Sequence, residues 1–224
     1  MRVVGKRYGI EFMNLGYSPT SEEEHEGLFG RIAIEDPALK AHYLLYEKTL
    51  SLCPLYPRLN AELLDVGCGL GGGVRLMKRW ECKIHGDAEA LPFDSSSFDL
   101  ITNVESSHLY ANPQRFFHEA HRVLRAGGHL CWADLREDEK VAEPFAQAER
   151  AGFRLVKYER VNDQIVAGLR ITAAHYDAQL AKTPFFIRMF TSSLRTTYCA
   201  PGTRTFDNFV RNRKHYYVAC WQKE

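Results

Sequence analysis

Apolar and polar residues follow one another along the chain in two distinguishable patterns. Leu63, Leu64 and Val66 form a continuous apolar run, and Phe98-Asp-Leu-Ile-Thr-Asn-Val104 reads as a second buried strand. Uninterrupted runs of this length suit strands that helices cover on both faces. Elsewhere apolar residues recur at helical spacing. Leu39, Tyr43, Tyr46 and Leu50 mark one face of a helix over 37–52, which Cys53-Pro-Leu-Tyr-Pro57 ends. Phe116, Phe117, Ala120, Val123 and Leu124 mark another; Asn112 caps it, Pro113 takes its first position, and the glycines at 125–128 are expected to stop it. Residues 129–135 read as a third strand, 144–151 as a helix stopped by Gly152, and Phe153–Arg160 as a further strand. Ile165, Leu169, Thr172, Tyr176 and Leu180 share one helical stripe, and the aromatic run 184–190 follows. Residues 215–221 close the chain as a strand without a βαβ crossover before it, so it is expected to run antiparallel. A helix over 74–80 and a short strand over 82–86 complete the series. Strands alternating with helices predict an α/β fold with a mostly parallel sheet.

One stretch in this pattern carries chemistry. After Leu64 come Asp65, Val66, Gly67, Cys68, Gly69, Leu70, Gly71, Gly72 and Gly73, a strand end followed by a turn built almost wholly of glycine and then a helix. Gly67, Gly69 and Gly71 permit positive φ and remove the β-carbons that would hold a ligand away from the backbone. The unpaired amides opening the helix point into the same gap. Asp65 decides the ligand class: a carboxylate repels the pyrophosphate of a dinucleotide but attracts an ammonium or sulfonium. The acid-x-Gly-x-Gly-x-Gly pattern therefore matches S-adenosylmethionine better than NAD, although Gly67, Gly69 and Gly72 also satisfy Gly-x-Gly-x-x-Gly.

Composition narrows the alternatives. The 224 residues suffice for one domain with a full core. This domain is expected to comprise an N-terminal helical segment (1–57), a cofactor-binding core (58–160), a helical cap (161–205, its helices at about 162–200) and a closing strand (206–224). A net charge of +1 offers no field for nucleic acid or an anionic membrane, which leaves a small-molecule partner. The six cysteines show neither a C-x-x-C pair nor metal spacing, which fits a reducing compartment. No secretory leader and no apolar run near the ~18 residues of a membrane span is visible, so a cytoplasmic location is expected. Oligomeric state is not legible. In the aromatic, glycine-punctuated N-terminus, Tyr8 and Tyr17 either close over a ligand or cover the core.

These residues resemble the class I S-adenosylmethionine-dependent methyltransferases, most of all the phthiotriol/phenolphthiocerol dimycocerosate methyltransferase type. Leu64-Asp-Val-Gly-Cys-Gly-Leu-Gly-Gly-Gly73 resembles the first motif of the class, and Gly86-Asp-Ala-Glu-Ala-Leu-Pro-Phe93 with Ser97-Phe-Asp99 its adenine-side motif. Asn103-Val-Glu-Ser-Ser-His108, Val123-Leu-Arg-Ala-Gly-Gly128 and Ala133-Asp-Leu-Arg136 resemble later signatures. The resemblance implies a Rossmann-like, mostly parallel sheet with an antiparallel last strand and a helical cap. It implies S-adenosyl-L-methionine held by Asp65, Gly67, Cys68, Gly69, Gly71, Asp87, Ala88 and the carbonyl of Asn103. It also implies that one strand–helix unit after the glycine loop is absent. The strand over 82–86 then either takes its place beside the first strand and carries Asp87 to the ribose, at close to the ~20-residue interval of a dinucleotide-type unit, or keeps its family position, leaving a gap in the sheet and Asp87 at the adenine.

Methyl transfer to a hydroxyl needs alignment and a base. His108, just beyond a strand's C-terminal end, is the first candidate and Glu105 the second, as base or orienter. His118 and His121 are expected at the surface. The aromatic run 184–190 suits an apolar or lipid-like acceptor, or else packs the cap. Two alternatives stand beside a lipid-directed methyltransferase: a shortened homologue acting as a binding protein, and an NAD(P)-dependent reductase. The reductase would lack the Tyr-x-x-x-Lys pair expected of a short-chain enzyme.

Overall fold

The computed structural model describes residues 14–24, 34–56, 61–69, 71–73, 85–183 and 185–224, and in it the apolar runs become strands and the periodic stretches helices. In chain order these are α1 (Pro37–Ser51), β1 (Leu63–Asp65), β2 (Phe98–Val104), α2 (Pro113–Val123), β3 (Leu124–Glu137), α3 (Glu143–Arg150) and β4 (Phe153–Arg160). Then follow α4 (Asn162–Ala181), α5 (Phe185–Arg188), α6 (Thr191–Thr197), α7 (Arg204–Val210) and β5 (Lys214–Lys223). The described residues divide into two units: 48–160 with 216–224, and 14–47 with 161–215.

The first unit is a five-stranded sheet in the order β1-β2-β3-β5-β4. β1, β2 and β3 are parallel, with Asp65 opposite Thr102 and Val104 opposite Ala133. Three carboxyl ends therefore reach the same edge, where open α/β sheets place their ligands. β5 is antiparallel to β4, from Phe153 opposite Lys223 to Arg160 opposite Tyr217, as the last strand was expected to be. β2 is buried from Leu100 through Val104, including the polar Thr102 and Asn103.

α2 starts where its sequence signals place it. The Asn112 side chain accepts from the Arg115 amide at 3.2 Å and Pro113 occupies the first turn. Its apolar face, Phe116, Phe117, Ala120 and Val123, is wholly buried. Phe117 stands edge-on to Trp221, with ring centroids 5.8 Å apart, and Trp132 meets Trp221 at 5.7 Å. Each such Phe contributes roughly 1.5–3 kcal/mol by leaving water.

The glycine-rich stop expected at 125–128 is not a separate turn. β3 begins at Leu124, directly after the helix, and the β2–β3 register jumps from Phe98↔Leu124 to Leu100↔His129. Residues 125–128 are extra residues looped into the strand, and glycine makes this fit. Gly127 has φ +76°, and a β-carbon on Gly128 would stand 2.9 Å from the Arg125 carbonyl oxygen and 3.0 Å from that of Asp99. His121, expected at the surface, is half-buried with its ring edge-on to Phe153 at 5.2 Å; His118 is exposed as expected.

The second unit is helical. The stripe on α4 is real: Ile165, Leu169 and Thr172 are buried, while Tyr176 and Leu180 are half-buried. α4 lies close against residues 14–18, because a β-carbon on Gly168 would meet the Gly16 carbonyl oxygen at 2.5 Å. Tyr17 is fully buried there, its amide donating to the Ala41 carbonyl at 2.9 Å, so it covers the core. The His42 ring bridges Asn14 Oδ1 (2.8 Å) and the Tyr176 hydroxyl (3.0 Å), and burial pushes its pKa down to about 4. α5 leaves Phe185, Met189 and Phe190 64–77% exposed. The span expected as a helical cap is thus helical apart from short turns. The expected helix at 74–80, Tyr8 and residues 82–84 of the expected strand lie outside the described residues. His85 and Gly86 belong to no strand.

Candidate functional site

The glycine loop leaves β1 at Asp65, whose Oδ1 accepts from the Thr102 hydroxyl at 2.9 Å. The Val66 amide donates to the Thr102 carbonyl at 2.9 Å, so the strand pairing continues up to the first glycine. Gly67, Gly69 and Gly71 have φ of +79°, +53° and +86°, the left-handed conformations for which glycine is suited. The Gly71 amide donates to the Cys68 carbonyl at 2.8 Å and closes the turn, with Cys68 half-buried at its centre. Gly67 is needed for a second reason: a β-carbon there would lie 2.4 Å from Ser106 Oγ.

Asn103, two strand positions from the tip of β2, holds this loop in place. It is fully buried, and its Nδ2 donates to the Val66 carbonyl (3.0 Å), Ser106 Oγ (2.7 Å) and the Tyr110 hydroxyl (2.9 Å). Burial pushes the Tyr110 phenol above its ordinary pKa, keeping it neutral and able to share hydrogen bonds with Ser106. The Asn103 Oδ1 is buried without a partner among the described residues. An acceptor left open beside a carboxylate and a bare backbone turn is complementary to a cationic, donor-rich ligand. The residues present therefore fit the ammonium-bearing end of S-adenosylmethionine.

The tip of β2 bends sharply at Glu105. This residue has φ +50°, held by its amide donating to the Ala133 carbonyl at 2.8 Å and by the buried Tyr216 hydroxyl donating to its Oε1 at 2.9 Å. A glutamate in that conformation stores backbone strain, a feature that clusters at functional sites. The bend leads into the short 3₁₀ turn Ser107–Leu109, which presents His108.

His108 rests on a buried carboxylate. Its Nδ1 lies 2.6 Å from Asp134 Oδ1, and its amide donates to Asp134 Oδ2 at 3.0 Å. Asp134 is fully buried and also takes the Ser107 hydroxyl at 2.6 Å, the Leu135 amide at 2.9 Å and the Arg136 guanidinium at 3.1 Å. Burial alone would raise its pKa. The His108 hydrogen bond, the Arg136 charge and the Ser107 hydroxyl outweigh it, and the carboxyl titrates below its ordinary value. Arg136 is fixed in turn by Ser107 Oγ (3.0 Å) and by stacking over Trp132, 5.3 Å from the ring centroid. An ionised Asp134 can only accept, so Nδ1 carries the proton and the Nε2 lone pair is free, with no partner among the described residues.

The structure thus brings Asp65, Gly67 and Asn103 together where β1 and β2 end, through the hydrogen bonds of Asp65 to Thr102 and of Asn103 to the Val66 carbonyl, and sets Glu105 and His108 on one turn. Asp87 and Ala88 lie in a separate turn. The exposed Asp87 accepts the Glu89 amide at 2.9 Å, an Asx-turn, and Ala88 packs against the core. That turn is tied to α2, where Glu119 accepts the Leu91 amide at 2.7 Å and Arg122 donates to the Leu91 and Phe93 carbonyls. Sequence reasoning missed Asp134 as the partner of His108. The Ala133–Arg136 signature held the signal, but 26 positions separate the two residues and nothing in spacing joins them.

The family profile described as a methyltransferase domain matches residues 78–132. The phthiotriol/phenolphthiotriol dimycocerosates methyltransferase of Mycobacterium leprae (strain TN) is 31% identical over 187 residues, covering 71% of this chain and 66% of that protein. The chain therefore spans slightly less than two thirds of the length of that relative. A fatty-acid O-methyltransferase of Mycolicibacterium smegmatis (strain ATCC 700084 / mc(2)155) is 24% identical over 242 residues, covering 96% of this chain and 84% of that protein. In both cases the aligned length exceeds what the matched share of this chain can fill, so the relatives carry internal residues that it lacks. Among solved structures, a geranyl diphosphate methyltransferase in complex with SAM superposes with a TM-score of 0.60 at 14% identity, covering 96% of this chain and all of the other, a likeness of fold.

Proposed function

Because the chain belongs to the class I S-adenosylmethionine-dependent methyltransferases, we propose that it methylates a hydroxyl on an apolar, lipid-like small molecule, with His108 as the base. The observation that carries this reading is the 2.6 Å contact between His108 Nδ1 and the buried Asp134.

S-Adenosylmethionine supplies a methyl carbon already activated by its sulfonium. The chain has to hold that carbon in line with the acceptor oxygen and remove the acceptor's proton. Asp65 and the carbonyl of Asn103 would take the cofactor's amino end, and the backbone of Gly67, Cys68, Gly69 and Gly71 would line its site. Asp87 and Ala88 are proposed for the nucleoside side. Asp134 fixes the histidine tautomer, so Nε2 would accept the hydrogen bond of the acceptor hydroxyl and take up its proton. The charge that develops on the imidazole is met by the carboxylate behind it. Glu105, held by Tyr216, shapes the turn that presents His108. Leu109, the next residue, is 77% exposed and offers an apolar surface beside the base. The names of the two relatives, a dimycocerosates and a fatty-acid methyltransferase, favour the same acceptor class. No helix among the described residues is long and apolar enough to cross a membrane, and a net charge of +1 gives nucleic acid no purchase. We place the reaction in the cytoplasm. The reductase alternative falls with the family assignment.

A second reading rests on the internal residues that the relatives have and this chain lacks. In it the chain is a shortened homologue that binds a partner without turning over.

The two readings separate on His108→Ala. A positioned base contributes roughly 10²–10⁴-fold in rate, so turnover on a long-chain hydroxyl acceptor should fall by about that factor while S-adenosylhomocysteine affinity stays unchanged. A variant as active as the parent at every pH would remove His108 from the mechanism, and a wild type without turnover would favour the second reading.

A further inference from the structure

On the sheet face opposite the Trp132–Trp221 pair, three cysteines far apart in sequence meet. Cys131 sits on β3, Cys220 on the adjacent β5, and Cys53 in the turn after α1. All three are buried, to 3% exposure or less, and their sulfurs all lie within 4.8 Å of one another. The turn that carries Cys53 is fixed, with the Cys53 amide donating to the Leu50 carbonyl at 2.9 Å and the Tyr56 amide to the Cys53 carbonyl at 3.0 Å. None of these residues belongs to the methyl-transfer site.

We propose that Cys53, Cys131 and Cys220 bind one zinc ion, and that the ring of His129, which stands outside the group of atoms within 4.8 Å of one another, turns in to give the fourth donor. Three sulfurs about 2.3 Å from one tetrahedral ion stand roughly 3.8 Å apart, inside the 4.8 Å limit that the three side chains meet. A disulfide would use two of the sulfurs and leave the third over, whereas an ion uses all three. His129 is two residues before Cys131 and so faces the same side of the sheet. It is 3% exposed, and its Nδ1 is buried without a partner among the described residues. A buried ring nitrogen left unbonded is costly, and coordination would satisfy it. The donor set selects the ion. Three thiolates around copper(I) would leave two net negative charges in the core, whereas around zinc they leave one, with neutral imidazole completing four-coordination. On binding, three thiols release their protons to solvent as three zinc–sulfur bonds form, and no oxidant or reductant is required. The ion would staple the turn after α1 to two neighbouring strands of the sheet.

Cobalt(II) is the direct probe, since it adopts the same geometry and absorbs visibly when held by thiolates. The reduced full-length protein is expected to take up one equivalent, show thiolate-to-cobalt charge transfer with tetrahedral visible bands, and lose both when zinc is added. Cys53→Ser is expected to abolish the bands and Cys199→Ser, outside the cluster, to keep them. Zinc should raise the wild-type Tm and a chelator reverse the rise, a readout that needs no variant to fold. Absence of the cobalt spectrum in folded wild type, or its survival in Cys53→Ser, would overturn the site.

Discussion

Asp134 concentrates the chemistry of the candidate site in one residue. It is fully buried, yet hydrogen bonds and the adjacent guanidinium keep it ionised. Its folded-state pKa lies below the unfolded value of ~3.9, so its contribution to stability is fully present above that value. The contribution is lost as pH falls through the folded-state pKa. Asp134→Asn removes the anion while leaving Arg136 buried at 8% exposure and His108 without its orienting charge. Breaking a buried pair in this way costs about 3–5 kcal/mol. Urea unfolding should show a deficit of that order at pH 7 that shrinks as pH falls below the unfolded value, where the unfolded carboxyl takes up a proton that the folded one resists. Equal stabilities at pH 7 would mean that the network carries no net energy.

At the scale of elements, local chemistry made most of this fold readable. β2 follows from its apolar Phe98, Leu100, Ile101 and Val104, α2 from Asn112, Pro113 and a face of four wholly buried residues, and α4 from its stripe. Asn112→Ala should therefore cost about 1 kcal/mol, the usual value of a helix N-cap, with little change in the slope of the denaturation curve. A loss near zero would show that tertiary packing alone holds the start of α2. Features missed in the sequence are those that local pattern does not encode. Arg125 to Gly128 looked like a helix stop, yet parallel pairing with β2 draws these residues into β3 as a bulge. The His108–Asp134 contact joins the ends of two strands, and the three-cysteine cluster joins a turn to two more. Each spans too much sequence for a spacing motif. The glycine loop was legible because its glycines at positive φ and the carboxylate beside them all lie within one short stretch.

At the scale of the molecule, parallel pairing of β1, β2 and β3 brings Asp65, Glu105 and Asp134 to one edge of the sheet, although the chain reaches them through separate crossovers. A likeness of fold at a TM-score of 0.60 with 14% identity shows how little of that arrangement depends on particular core residues. The internal residues that the relatives have and this chain lacks make cofactor binding the decisive question. Calorimetric titration of the full-length protein with S-adenosylhomocysteine, and separately with NADH, answers it most directly. Saturable one-to-one binding of S-adenosylhomocysteine, weakened by Asp65→Ala and without heat from NADH, is the expected result; no binding of S-adenosylhomocysteine, or tighter binding of NADH, would contradict the account.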